Sequence, residues 1–322
     1  MAARLWQYVL AGEIAFSAAV AWLVAITSRL PARAAVAIGA ALLAALPWLL
    51  ATAAWLVART LARRSGQRSP RPGGRGAWTA LRSLATEGAA LARAQLAMSA
   101  EPFRQPIRLE ALAGPRRPRP VLLIHGILSN SGVWRPLVRP LRKARFGPVR
   151  TLDLEPLGAD IDSHAQRVAR ELSALHHECG EPIAIVAHSM GGLVARAALR
   201  VSGTAPATVS RIVTVATPHH GSAVAGLLRS TPLRQMSPGS PWLGALGADP
   251  PARSGPGAPA VTCLYSLDDA LVVPPSSARL EGAHNIELRG VGHLGLLTSR
   301  RAQETIVRAL GREQTAGGAE CR

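Results

Sequence analysis

Apolar residues are distributed in two different patterns along the chain, one near its start and one after Pro120. Residues 5–28 contain one charged residue, Glu13, and residues 34–58 contain none. A helix crosses the hydrocarbon core of a bilayer with about 20 apolar residues, so both stretches are long enough. The five residues 29–33 leave room only for a tight turn. The pattern predicts a two-helix transmembrane hairpin over residues 1–62, with both chain ends on the same side.

A cleaved signal peptide is the alternative explanation of the first apolar stretch. The apolar region of a signal peptide is about 7 to 15 residues long and is followed by a cleavage site. Here Glu13 interrupts the first stretch and a second long stretch follows, which favours the hairpin. Glu13 lies near the start of its segment, where its side chain can reach the interface, so a functional intramembrane acid is the less favoured interpretation.

Residues 63–119 differ from the hairpin in composition. Residues 63–76 are rich in Arg, Ser, Pro and Gly, which predicts a flexible basic linker close to anionic headgroups. Residues 77–100 have large apolar side chains at partly helical spacing, namely Trp78, Leu81, Leu84, Leu91 and Leu96. This spacing predicts an amphipathic helix, either on the membrane surface or against the rest of the protein.

After residue 120, short apolar runs alternate with helical patterns. The predicted strands are 121–124, 149–154, 183–187, 212–216, 261–267 and 285–288, and the predicted helices are 160–177, 190–201 and 299–310. Nearly continuous apolar strands separated by helices are typical of a mostly parallel sheet with helices on both faces. The pattern therefore predicts an α/β domain over residues 120–311 and a flexible tail over residues 312–322.

Residues 222–259 interrupt this alternation. The stretch is rich in Pro, Gly and Ser and contains a few large apolar residues, namely Leu227, Leu228, Trp242 and Leu243. We interpret it as a lid-like insert whose apolar residues face an acyl pocket.

The strongest chemical signal is the run from Ile185 to Leu193 (IVAHSMGGL). An apolar strand leads into Ser189, which has small neighbours, and a helix follows. This is the nucleophile-elbow pattern, in which a tight strand-to-helix turn exposes a serine hydroxyl at the edge of the sheet. The alternative is a serine in an ordinary turn.

A nucleophilic serine needs a histidine base and an acid that orients it, in the chain order Ser, Asp, His for this architecture. His293 lies between two glycines after the last strand, whereas His219, His220 and His284 precede or directly follow strands at less suitable points. The acid candidates are Asp268 and Asp269 at the end of a strand, and Asp249 in the insert.

The oxyanion of an acyl-transfer intermediate needs two backbone N–H donors. The residue after the nucleophile supplies one, which is Met190, and an upstream loop supplies the other. The strand 121–124 ends in His125 and Gly126, so we assign the second donor to Ile127. His125 itself is predicted to brace this loop and not to act as a base.

These residues resemble the α/β-hydrolase superfamily, and within it the bacterial lipases and esterases. The resemblance covers residues 120–311 and depends on five segments: HGI at 125–127, AHSMGG at 187–192, ATPHHGS at 216–222, DALV at 269–272 and GH at 292–293. It implies a Ser189–His293–Asp269 triad, because the acid of such enzymes is commonly followed by a small residue, an apolar residue and valine. Ala187 in place of glycine and the membrane hairpin depart from the pattern of secreted lipases.

Composition and charge exclude several other classes. Hydrophobic residues make up 48% of the chain, which excludes a mostly disordered protein. The chain has 37 basic and 19 acidic residues, but only 4% aromatic residues, and residues 1–82 alone have ten basic residues and one acid. The basic charge is therefore concentrated beside the membrane, which argues against a nucleic-acid partner.

No metal or other cofactor is expected. The three cysteines, Cys179, Cys263 and Cys321, are far apart, which suggests neither a disulfide framework nor a metal cluster. The chain contains no CxxC or HExxH motif.

Together these features predict a membrane-anchored serine hydrolase that cleaves carboxylic esters, with lipid acyl esters as the expected substrates. An acyltransferase or thioesterase with the same triad is an alternative, and a membrane scaffold with an inactive hydrolase fold is a non-enzymatic one. Arginines near the helix ends outside the turn outnumber Arg29 and Arg33 inside it: Arg4, Arg59, Arg63, Arg64, Arg68, Arg71 and Arg75. By the positive-inside rule, the hydrolase domain is expected on the cytoplasmic side of the inner membrane.

Overall fold

A computed structural model describes residues 2–28, 30–64, 76–104, 107–109, 119–201, 208–247 and 258–311. Most of the predicted basic linker lies outside these ranges. Asp249, Cys321 and the predicted tail over 312–322 lie outside them as well.

Two long helices form the N-terminal part. Helix α1 spans Ala2–Ser28 and helix α2 spans Ala32–Arg64, and the two pack against each other. Each is long and apolar enough to cross a membrane, which confirms the prediction of two apolar helices. Helices of this length and composition also occur in signal sequences.

Helix α3, Gly76–Ala100, packs against the hairpin and also against the α/β domain. Its existence was predicted, but its buried face was not. The large residues Trp78, Leu81 and Leu96 are exposed, whereas the small residue Ala90 and the C-terminal pair Ala94 and Met98 are buried. Small side chains let helix backbones approach each other closely, and the bulky side chains are left on the outer face.

Polar contacts attach α3 to both of its neighbours. Gln95 Nε2 donates a hydrogen bond of 2.5 Å to Glu13 of α1, and Asn130 Nδ2 of the domain donates one of 3.0 Å to the carbonyl of Met98. Glu13, predicted to reach the interface, therefore has a protein partner. Helix α3 joins the hairpin to the domain.

The domain is built on a seven-stranded sheet in the order β1-β3-β2-β4-β5-β6-β7. The strands are β1 Arg108–Leu109, β2 Val121–Ile124, β3 Val149–Leu152, β4 Ile183–His188, β5 Val209–Val215, β6 Ala260–Ser266 and β7 His284–Leu288. Among the strands of the described ranges, only the short β1 pairs in the antiparallel sense. The remaining helices are α4 Arg135–Lys143, α5 Ile161–Cys179, α6 Met190–Ala198, α7 Thr231–Gln235, α8 Pro241–Gly247, α9 Gly295–Thr298 and α10 Arg300–Gly311.

Both faces of the sheet are covered, which confirms the predicted α/β class. Alternate residues of one strand belong to different cores, as in β2, where Leu122 packs with α5 and α6 and Leu123 packs with α4 and α10. Ala94 and Met98 of α3 belong to the second of these cores. Helix α3 therefore completes one layer of the domain, although it precedes residue 120.

Candidate active site

Ser189 occupies the turn between β4 and α6, at the carboxyl edge of the sheet. Its backbone has φ 55° and ψ −128°, a conformation that costs a non-glycine residue on the order of 1–3 kcal/mol. The turn leaves little space: a Cβ atom at Gly126 would lie 2.8 Å from the Cβ of Ser189. The glycine on the facing loop is therefore required for this close approach. Strain of this kind is typical of a nucleophile elbow.

Asp269 and His293 form a buried pair beside this turn. Nδ1 of His293 lies 2.8 Å and 3.0 Å from the two carboxylate oxygens of Asp269. The N–H groups of Leu271 and Val272 donate to the same carboxylate at 2.8 Å and 3.0 Å and hold it in place. Because Nδ1–H donates to the acid, Nε2 of His293 is the ring atom available to accept a proton.

Two effects compete at the His293 ring. Burial disfavours the imidazolium, but the charge of Asp269 and its hydrogen bond favour it, with a smaller contribution from Glu87. The pKa of His293 is raised as a result. The neighbouring ring of His188 lies 4.6 Å away between centroids, and burial lowers its pKa well below the usual value. His188 is therefore neutral, and its Nε2 lies 3.3 Å from the carbonyl of His293.

Asp268 has a different environment from its neighbour. Its carboxylate accepts a hydrogen bond of 2.6 Å from the N–H of Gly290, and burial raises its pKa. Side chains of successive residues diverge where a strand ends, so only one of the two aspartates reaches His293. The structure brings Asp269 and His293 together and leaves Asp268 on the adjoining loop.

The loop after β2 lies against the elbow on its other side. His125 is buried, and its Nε2 accepts the N–H of Leu154 at 3.0 Å. Its Nδ1 is then the protonated nitrogen and donates to the carbonyl of Gly126 at 2.8 Å. The ring thus holds the loop that leads to Ile127. Met190 begins α6, so its N–H is one of the four that have no partner within a helix.

The three other histidines considered as the base differ in exposure. His219 is buried, with Nε2 3.1 Å from Thr214 Oγ1 and Nδ1 3.4 Å from Arg196 Nη1. Burial lowers its pKa well below the usual value. His220 and His284 are exposed, the first after β5 and the second at the start of β7.

The predicted insert divides into an exposed and a buried part. Leu227 and Leu228 are exposed, but Leu243 packs in the core, and Trp242 donates a hydrogen bond of 2.8 Å to Asp162 of α5. Helix α8 is therefore attached to the body of the domain. Residues 248–257 of the insert lie outside the described part of the chain. The predicted role of the insert in acyl selectivity stays a prediction.

Sequence reasoning missed Glu87, which lies in α3. Both of its carboxylate oxygens accept hydrogen bonds of 2.8 Å from the loop that follows His293, one from Leu294 N–H and one from Gly295 N–H. One signal was present in the sequence: Glu87 is the only acidic residue between Glu13 and Glu101. When such an isolated acid is buried, it needs a hydrogen-bond partner from elsewhere in the fold.

Known proteins of this fold include lipases. A lipase from Bacillus licheniformis, BlEst2 in its mature form, matches with a TM-score of 0.53 and 18% identity, over 63% of this chain and 95% of that one. Lipase B from Aspergillus fumigatus matches with a TM-score of 0.52 and 22% identity, over 61% of this chain and 53% of that one.

One curated relative is similar in sequence. It is the pimeloyl-[acyl-carrier protein] methyl ester esterase of Vibrio campbellii, 31% identical over 96 residues. The match covers 30% of this chain and spans about a third (36%) of the length of that esterase.

The fold is therefore that of an α/β-hydrolase, as in the two lipases. Within that class, the chain belongs to the family described as "Domain of unknown function (DUF7379)", whose model matches residues 89–252, just over half of the chain. The matched region begins in α3 and includes Ser189. Asp269 and His293 lie beyond it.

Proposed function

We propose that the protein is a membrane-anchored serine hydrolase that cleaves carboxylic esters through Ser189, His293 and Asp269. The observation that carries the proposal is that the strained Ser189 directly follows His188, whose ring lies 4.6 Å from the ring of His293 in the buried His293–Asp269 pair. A serine held in this conformation, next to an oriented imidazole, has the elements of an activated nucleophile. The curated esterase relative and the lipase fold support the same class of reaction.

In the proposed mechanism, Nε2 of His293 removes the proton from Ser189 Oγ while Oγ attacks the ester carbonyl. Asp269 holds the imidazole in the required tautomer and stabilises the imidazolium. The N–H groups of Ile127 and Met190 donate to the oxyanion, with the positive end of the α6 dipole behind Met190. The imidazolium then protonates the leaving alcohol. Water attacks the acyl-enzyme while Nε2 of His293 takes its proton, and the imidazolium returns that proton to Ser189 Oγ as the bond between Oγ and the acyl group breaks and the carboxylic acid leaves.

Apolar side chains near the ends of the catalytic strands support a lipid-like substrate. Leu128 follows the oxyanion loop, Leu271 follows Asp269, and Leu227 and Leu228 lie in the insert, and all four are exposed. The hydroxyl of Ser222 donates a hydrogen bond of 2.6 Å to the carbonyl of Leu271, so the insert is attached to the Asp269 turn. An apolar rim at this edge suits an acyl chain, and we propose lipid acyl esters as substrates.

Active-site labelling tests the proposed function. The detergent-solubilised protein is expected to react with a fluorophosphonate probe at Ser189, identified by peptide mass, and to hydrolyse a series of p-nitrophenyl esters. Turnover is expected to favour longer acyl chains because the rim is apolar. Labelling of another serine, or no labelling and no turnover, would reject the assignment. Addition of acceptor alcohols separates hydrolysis from acyl transfer by the product formed.

The proposed anchor places α1 and α2 in the inner membrane with the hydrolase domain in the cytoplasm. The two helices are apolar enough, and the arginines near their ends are more numerous on the domain side of the hairpin. A C-terminal alkaline phosphatase fusion is therefore expected to be inactive and a C-terminal green fluorescent protein fusion to be bright, with both proteins in the membrane fraction. An active phosphatase fusion would place the domain on the other side.

A further inference from the structure

Glu87 connects α3 to the loop of the proposed catalytic histidine. Its two carboxylate oxygens accept the N–H groups of Leu294 and Gly295, each at 2.8 Å. These are the two residues that follow His293. A carboxylate that accepts two backbone hydrogen bonds fixes that backbone more firmly than a neutral acceptor does, because hydrogen bonds to charged groups are the stronger ones.

The contact requires a residue without a side chain at position 292. A Cβ atom there would overlap the carboxylate of Glu87. Gly292 therefore allows Glu87 to lie directly against the backbone that bears His293. The glycine of the Gly-His pair thus has a packing role.

The residue after Glu87 connects the same helix to the hairpin. A Cβ atom at Gly88 would lie 2.5 Å from Cδ1 of Trp48 in α2, so the indole packs directly on the α3 backbone. Trp6 of α1 also contacts the domain, since its Nε1–H donates to the carbonyl of Leu128 at 2.8 Å. The hairpin is thus packed against the helix that holds the histidine loop.

We propose that Glu87 is a positioning residue for catalysis. It fixes the His293 loop and adds negative charge near the imidazole. Through Glu87, helix α3, which packs on the hairpin, completes the active site. This inference rests on the proposed function. It adds to the triad a residue from outside the predicted hydrolase domain. Glu87 acts through His293 and has no assigned contact with substrate.

The charged and titratable groups that face His293 come from three other elements. Asp269 follows β6, Glu87 lies in α3, and His188 ends β4. Asp269 and Glu87 both favour the imidazolium, whereas His188 is neutral. Burial raises the pKa of Glu87 itself, and the hydrogen bonds from Leu294 and Gly295 and the charge of His293 oppose that shift. Removal of the Glu87 charge therefore lowers the pKa of His293. The base is active when neutral, so the acidic limb of the kcat/KM profile moves to lower pH.

A pH profile tests the electrostatic part of the proposal, with a short soluble ester as substrate. We expect E87Q to move the acidic limb down by about half a unit to one unit and to lower kcat/KM at its plateau by about 10-fold or more. The matched control is E101Q. Glu101 pairs with Arg135 at 2.8 Å where the segment after α3 meets the domain, so E101Q weakens the same docking without changing the charge near His293. Its acidic limb is expected to coincide with that of the wild type.

A double-mutant cycle tests the positional part. G292A is expected to reduce kcat/KM strongly in the wild-type background, because the added methyl group displaces the Glu87 carboxylate. In the E87A background the same change removes no contact, so its effect is expected to be several-fold smaller. If G292A lowers kcat/KM equally in both backgrounds and the acidic limb of E87Q does not move, then Glu87 only attaches α3 to the domain and the inference is overturned. A wild-type protein that neither labels at Ser189 nor cleaves esters would instead reject the proposed function.

Discussion

Replacement of Ser189 or His293 by alanine is expected to reduce ester turnover by about 10⁵-fold or more. Ser189→Ala removes the atom that attacks the carbonyl, and His293→Ala removes the base that activates it. The two side chains act in one step, so neither is useful without the other. The double variant S189A/H293A is therefore expected to be little worse than either single variant.

The measurement is kcat/KM for a p-nitrophenyl ester, with membrane fractionation and thermal unfolding as controls for folding. S189A should also lose fluorophosphonate labelling. H293A keeps the Ser189 hydroxyl, but this hydroxyl should react with the probe far more slowly. The matched control is H220A, because His220 is exposed and lies on the loop after β5, whereas Asp269 follows β6 and His293 follows β7. Activity retained in S189A would reject the assignment of the nucleophile.

The second large effect is expected at Asp269. D269N keeps the shape of the side chain but offers an N–H group to Nδ1 of His293, which favours the wrong tautomer. In the best-studied triad this change costs roughly 10⁴-fold in turnover. D268N is the matched control, since Asp268 accepts a hydrogen bond from Gly290 and has no contact assigned to the imidazole. Its turnover is expected to stay within about threefold of the wild type, as is common for a change away from the reacting groups.

The two variants are compared in parallel on one ester, and the pH profile provides a second measurement. Asp269 is the main group that favours the His293 imidazolium, so its neutralisation also lowers the pKa of that residue. The remaining activity of D269N should therefore persist to lower pH. A large loss in D268N combined with near-normal turnover in D269N would reverse the assignment of the acid.

Local sequence determined the elements that are long or uniformly apolar. The four residues of β2 are all apolar and all buried, as expected for a central parallel strand. Helix α5 begins after Asp160, whose side chain accepts the N–H of Ser163, and ends before Gly180 at φ 64°. These are short-range signals, so a pattern of neighbouring residues is sufficient to predict them.

Elements with little local signal were missed. Strand β1 has two residues, and helices α7 and α8 have five and seven, too few to establish a period. Helix α4 begins with Arg-Pro and contains Pro140, a composition that does not predict a helix. These segments owe their structure to the surface on which they pack.

Prediction of the site from the sequence met the same limit. The elbow could be predicted because strand, serine and helix are contiguous, and the order of Ser189, Asp269 and His293 because it follows the order of the strands. The role of α3 could not be predicted, since its buried residues are mostly small or polar and form no continuous stripe of large apolar side chains. Sequence by itself therefore determined the fold class, the two apolar helices and the candidate nucleophile, all of which depend on near neighbours. The resemblance favoured Asp269 over Asp268, and tertiary structure showed that Asp269 contacts His293. Tertiary structure alone decided that Glu87, 207 positions before Leu294, holds the histidine loop, because such contacts depend on how distant segments pack in space.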